Sequence, residues 1–198
     1  FPINPYKKIL PQLSFDYPFA GQRVHEIFRF FYDKDYPDKK PLAVFLSGNY
    51  FLTKKILSIK NYSDIKIIGH SGGAISAIYN MSLIPKISKA YLSSGFMTKT
   101  HYIENSGDDW EYLYPDFMIN NNYFDLIYNS LIDKNNEFNR EIIFQFDNLD
   151  PACCNYPSSQ SFADLINSLG KNLNLKLRAY TLNNNEHKIN LELLFNEF

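Results

Sequence analysis

The stretch of this chain with the most chemical promise is Gly69-His70-Ser71-Gly72-Gly73. It follows the apolar run Ile65-Lys66-Ile67-Ile68 and precedes Ala74-Ile75-Ser76-Ala77. That order reads as a strand, a tight turn and the first turn of a helix. A serine spaced by glycines as G-x-S-x-G is pressed into a strained turn, because side chains two positions either way would collide with neighbouring backbone. The helix behind it favours negative charge at its N-terminus. Ser71 is therefore a candidate nucleophile, and the amide of Gly72 a candidate donor to an oxyanion. The bland alternative is a glycine-rich turn that lets a helix pack closely on a sheet.

A serine hydroxyl attacks poorly unless a base takes its proton, which makes the four histidines the next question. His70 adjoins Ser71 and points elsewhere in such a turn. His25 precedes the serine in the opening segment, and His101 lies in a long polar stretch. His187 follows the apolar run Leu175–Leu182 and precedes the last helical pattern. That puts it in a loop at a strand's carboxyl end, where a base belongs in the chain order serine, acid, histidine. The acid should then follow the preceding strand, in Glu141-Ile142-Ile143-Phe144-Gln145-Phe146-Asp147-Asn148-Leu149-Asp150-Pro151. Asp147 and Asp150 both qualify. Asp150 is preferred, because Pro151 holds it in an extended conformation, whereas Asp147 stands so near the strand end that it can serve merely to end it. A carboxylate there would fix the tautomer of His187 and stabilise its cation. For a second oxyanion donor, Gly48 allows close approach after an apolar run, which nominates the amides of Asn49 or Tyr50.

Such groups converge only if regular elements deliver them. Strands are expected near Ile27–Tyr32, Leu42–Ser47, Ile65–Gly69, Ala90–Ser94, Ile142–Phe146 and Leu175–Leu182. Several are apolar almost without interruption, as in strands covered on both faces. Helices are expected over Phe51–Ile59, Gly72–Leu83, Tyr123–Leu131, Ser159–Leu169 and Ile189–Phe195. In the fourth, Phe162, Leu165, Ile166 and Leu169 form a stripe at helical spacing, and Gly170 reads as its stop signal. Alternation of this kind implies a three-layer α/β/α sandwich with a mostly parallel sheet of about six strands. No repeat or linker-like tract divides the chain, so residues 1–198 are expected to form one domain. The polar, aromatic stretch 97–122 breaks the alternation directly after a strand, where loops surround ligand sites in open parallel sheets.

Composition removes several function classes. With 20 basic and 21 acidic residues and a net charge of −1, nothing in the balance attracts nucleic acid or an anionic membrane. No apolar stretch is long enough to span a bilayer. The two cysteines, Cys153 and Cys154, are neighbours, which fits neither a disulfide framework nor a zinc site. Reduced thiols favour a cytoplasmic protein, and no metal or other cofactor is expected.

The segments IIGHSGGA, DNLDPACC and NNEHKIN, in that order, resemble the nucleophile, acid and histidine loops of the α/β-hydrolase family. The resemblance covers most of the chain from about residue 42 onward. It implies Ser71 as nucleophile, Asp150 as acid and His187 as base in a serine hydrolase cleaving a carboxylic ester of a small molecule. The stretch GDDWEYLYPDF with NYFDL is similar to the segment that shapes the substrate site in esterase-like members. The sheet is shorter than the family's usual eight strands, and the N-terminal segment lacks a recognisable His-Gly oxyanion motif. The same residues are compatible with acyl transfer to an alcohol or amine. The reading from a different class is a non-catalytic protein of this fold that binds a ligand or partner.

Overall fold

The computed structural model describes residues 41–95, 123–152 and 154–198. Four parallel strands run β1 (Ile65–His70), β2 (Ile87–Ser93), β3 (Glu141–Asp147) and β4 (Leu177–Leu182), and they lie side by side in that same order. Among the described residues five helices accompany them: α1 (Pro41–Ile59), α2 (Gly72–Leu83), α3 (Tyr123–Leu131), α4 (Ser158–Asn172) and α5 (Leu191–Glu197). A sheet that grows in one direction through right-handed crossovers must stack its crossover helices on one face. The packing agrees. Ile75 and Ile78 of α2, Leu131 of α3 and Ile166 of α4 share one core with Ala90, Leu92, Ile142, Phe144 and Phe146 of the sheet.

Strand periodicity sends the alternate side chains to the other face. There Tyr91 and Ile143 meet Leu194 of α5, with Tyr180, Ile189 and Phe198 around them. On the crossover face Phe162 stands edge-on to Phe144 and Phe146, each at 5.7 Å between ring centres. Burying each such ring stabilises the fold by about 1.5–3 kcal/mol.

At the amino end of the sheet lies Arg140, only 2% exposed. Its Nε donates to the Ile87 carbonyl at 2.6 Å and its Nη1 to that of Ile132 at 2.9 Å. Its Nη2 reaches the carbonyls of Met81 and Ile84. The guanidinium thus caps the end of α2 and pins it to β2, in keeping with the preference for cations at helix C-termini. Burial draws its pKa down to about 10, so it remains charged at neutral pH.

Two expectations about the early chain need separating. The strand expected at Ile27–Tyr32 lies outside the described residues, as does the stretch 97–122. The strand expected at Leu42–Ser47 is not a strand: those residues belong to α1. A short apolar run reads alike for strand and buried helix. What decides is Pro41 at the first helical position, where a missing amide costs nothing, and Tyr50 and Leu57, seven apart, packing together on the crossover core. Gly48 sits inside this helix despite its cost of about 1 kcal/mol there. The described sheet accordingly has four strands rather than about six. Gly170 is likewise no stop signal. It lies inside α4, which continues to Asn172, and a side chain at Gly170 would overlap the Leu177 carbonyl.

Candidate functional site

Parallel strands bring their carboxyl ends to one edge, and the candidate residues follow those ends in turn. β1 ends at His70, and Ser71 adopts φ 54° and ψ −132°. An L-residue in that region is strained by roughly 1–3 kcal/mol. Two hydrogen bonds hold it there. Its N–H donates to the Ser93 carbonyl at 2.8 Å, and its own carbonyl accepts from Ala74 N–H at 2.8 Å. The turn also needs bare backbone around it. A Cβ on Gly69 would stand 2.6 Å from Ala74 Cα, and one on Gly95 would stand 2.6 Å from the Ser71 carbonyl oxygen. Gly72, directly after the serine, opens α2. Its N–H belongs to the first turn, which has no helical carbonyl behind it.

The acid loop follows β3. Asp150 has a side chain with no exposed surface, and both carboxylate oxygens are engaged. Oδ1 accepts from Ala152 N–H at 2.8 Å, an Asx turn that orients the group. Oδ2 lies 2.8 Å from His187 Nδ1. This loop and the histidine loop are zipped beyond the ends of β3 and β4, by Asn148 N–H to the Leu182 carbonyl at 2.7 Å and Leu149 N–H to the Asn184 carbonyl at 3.2 Å. With Nδ1–H donated to Asp150, a neutral His187 carries its lone pair on Nε2. Its side chain is 24% exposed.

Histidine 187 also meets the serine's neighbour. The rings of His70 and His187 lie 4.5 Å apart, tilted by 47°, and His70 Nδ1 lies 3.3 Å from Ser93 Oγ. Burial, and then the nearby His187, lower the pKa of His70 below its ordinary value. The second carboxylate, Asp147, turns elsewhere. Its Oδ2 accepts from Gln145 Nε2 at 2.8 Å, and burial raises its pKa above the usual range, with the charge of Asp150 adding to that.

The candidates thus fall into three groups. Asp150 and His187 are hydrogen-bonded partners, and their pair packs on the residue before Ser71. The Ser71 hydroxyl is not itself part of that hydrogen-bonded pair. Asn49 and Tyr50 do not lie in a loop after a strand: both are interior to α1. There a backbone amide donates to the carbonyl four residues back, and the Asn49 side chain donates to Ser76 Oγ at 2.7 Å.

Sequence reasoning overlooked Gly95 and Gln145. The first has a signal, a lone glycine straight after a strand. The second stands out only as an amide in an otherwise apolar strand. Among the described residues no group of His, Cys, Asp or Glu could hold a metal ion, and no helix is long and apolar enough to cross a membrane.

No protein-family model matches the sequence, and no curated protein matches it. Among solved structures it is similar to an esterase of Pyrococcus furiosus, at 16% identity and a TM-score of 0.43. That alignment covers 73% of this chain and 54% of the esterase, so this chain spans about half of that protein's length. A likeness this distant carries no weight on activity.

Proposed function

We propose that this protein is a serine hydrolase that cleaves a small carboxylic ester through an acyl-enzyme. Ser71 Oγ attacks the acyl carbon while His187 Nε2 accepts its proton, and Asp150 holds Nδ1–H and stabilises the imidazolium. The Gly72 N–H donates to the developing oxyanion at the positive end of α2. His187 then returns the proton to the departing alkoxide. Water repeats the sequence to free the acid and regenerate Ser71.

The observation that carries this reading is the Asp150–His187 pair at 2.8 Å, packed through His70 on a serine with φ 54°. A binding protein gains nothing from straining that serine or from burying a carboxylate against an imidazole. The motifs that resemble the α/β-hydrolase family supply the same three residues in the same order. The test is covalent labelling by a fluorophosphonate probe, with hydrolysis of p-nitrophenyl acetate alongside. Wild type should label and turn over, and Ser71→Ala should do neither. Labelling that persists in Ser71→Ala would remove the assignment, and a folded wild type inert to both would favour the non-catalytic binder.

A further inference from the structure

Gln145 is a polar residue in the middle of β3, wholly buried, on the face that α5 covers. Its amide is saturated. Oε1 accepts from Tyr91 Oη at 2.8 Å and from Asn190 N–H at 2.9 Å. Nε2 donates to Asp147 Oδ2 at 2.8 Å and to the Lys188 carbonyl at 3.0 Å. The two backbone partners fix which end of the amide is oxygen, since an N–H can only donate and a carbonyl only accept. Those partners flank His187 closely: Lys188 is the next residue and Asn190 the third. Asn190 in turn caps α5, its side chain accepting from Leu193 N–H at 2.8 Å.

We propose that Gln145 is a positioning residue, whose amide clamps the backbone after His187 onto β2 and β3 and so sets the imidazole against Asp150. Asp150 leaves the same strand five residues later, which makes β3 the common base for both partners of the pair. An apolar side chain of equal length would fill the space and lose all four bonds. The chain after β4 would then be held to the acid loop through Leu182, Asn183 and Asn184 and by the His187–Asp150 bond itself, with the Gln145 bonds beyond His187 gone. The catalytic consequence rests on the hydrolase reading, whereas the hydrogen-bond geometry stands without it.

The experiment compares wild type with Gln145→Met and Gln145→Glu by proton NMR and by steady-state kinetics on p-nitrophenyl acetate. In wild type the His187 Nδ1 proton should give a downfield resonance, assigned by its loss in His187→Gln. Gln145→Met should broaden or erase that resonance and lower kcat by about a hundredfold, the scale of a misplacement near 1 Å, with KM within twofold. Gln145→Glu keeps the length and the acceptors but loses the donor to both Asp147 and Lys188 and sets a carboxyl against that of Asp147, so it should shift both readings in the same direction. Should Gln145→Met not fold, Gln145→Glu decides. A resonance and kcat unchanged in the folded variants would overturn the clamp. A wild type that hydrolyses nothing, with a resonance that still depends on Gln145, would sink the esterase reading and leave the clamp standing.

Discussion

At the amino end of the sheet the buried guanidinium of Arg140 donates its hydrogen bonds to backbone carbonyls, whereas at the carboxyl end the buried carboxylate of Asp150 meets an imidazole that keeps an exposed edge. Both ends bury charge, and both satisfy it with hydrogen bonds. The difference lies in what the partner can do next. A carbonyl that accepts from Arg140 has no further chemistry, and the guanidinium keeps its proton. A histidine that donates to Asp150 through Nδ1 still has a second nitrogen, which in the neutral ring carries a lone pair able to accept a proton. Positive φ occurs at both ends, at Asn136 (61°) and Asn174 (51°) in the turns that lead into β3 and β4, which asparagine tolerates, and at Ser71 (54°) after β1. One end consolidates the fold, and the other is where the proposed hydrolysis would take place.

Three substitutions would break or sharpen that contrast. The largest effect should come from Asp150→Asn, which preserves shape and the bond from Ala152. It presents an amide N–H or a neutral carbonyl to His187 and removes the charge that steadies the imidazolium. Under the hydrolase reading kcat should fall roughly ten-thousand-fold, measured with p-nitrophenyl acetate. A loss below tenfold would mean that the pair is structural, like its counterpart at the other end.

Next in size is Arg140→Met, which removes a donor from the carbonyls of Ile87, Ile132, Met81 and Ile84, of which the last keeps the Ile87 N–H. Denaturant unfolding should register a loss of about 3 kcal/mol, with kcat per folded molecule unchanged. A fall in kcat to match would show that the two ends cannot be separated.

The smallest is Ser71→Gly. Relief of roughly 1–3 kcal/mol of strain should outweigh the roughly 0.5–1 kcal/mol of added chain entropy that a glycine loses on folding. A net gain of about 1 kcal/mol in stability is expected, together with loss of hydrolysis. Equal or lower stability by thermal melting would refute the strain at Ser71.

Much of this arrangement was legible in the residues, unevenly and for physical reasons. Both ends of α2 and α3 coincide with their expected limits, Gly72–Leu83 and Tyr123–Leu131. At α2 the glycines of the turn mark where the helix begins. β2 starts earlier than expected because Ile87-Ser88-Lys89 mixes polar side chains into the strand, and Lys89 is employed in an ion pair with Glu141 at 2.8 Å. The first part of α1, expected as a strand at Leu42–Ser47, differs where local pattern is ambiguous and tertiary packing decides, whereas its second part coincides with the helix expected at Phe51–Ile59. With it went the expected loop around Asn49 and Tyr50. Gly170 was misread because a glycine can mark close approach to a strand as readily as a helix end. Local spacing brought Asp150 and His187 forward, because their loops follow strands. It could not reveal Gln145 or Arg140, whose partners lie far along the chain and whose roles exist only once the strands are side by side.

The pairing registers carry one more consequence, for the order of assembly. Ile65 pairs with Ile87, 22 positions on, and Ile142 with Leu177, 35 positions on. Between the two units, Ala90 pairs with Ile142, 52 positions on. Closing that longest span costs about 0.8 kcal/mol more chain entropy than closing the shortest. Ser71 belongs to the first unit, and Asp150 and His187 to the second. The seam between β2 and β3, crossed by Ser94 N–H to the Gln145 carbonyl at 2.9 Å, is therefore the costliest join in the described sheet, and the Asp150–His187 pair meets His70, beside Ser71, only when that join has closed.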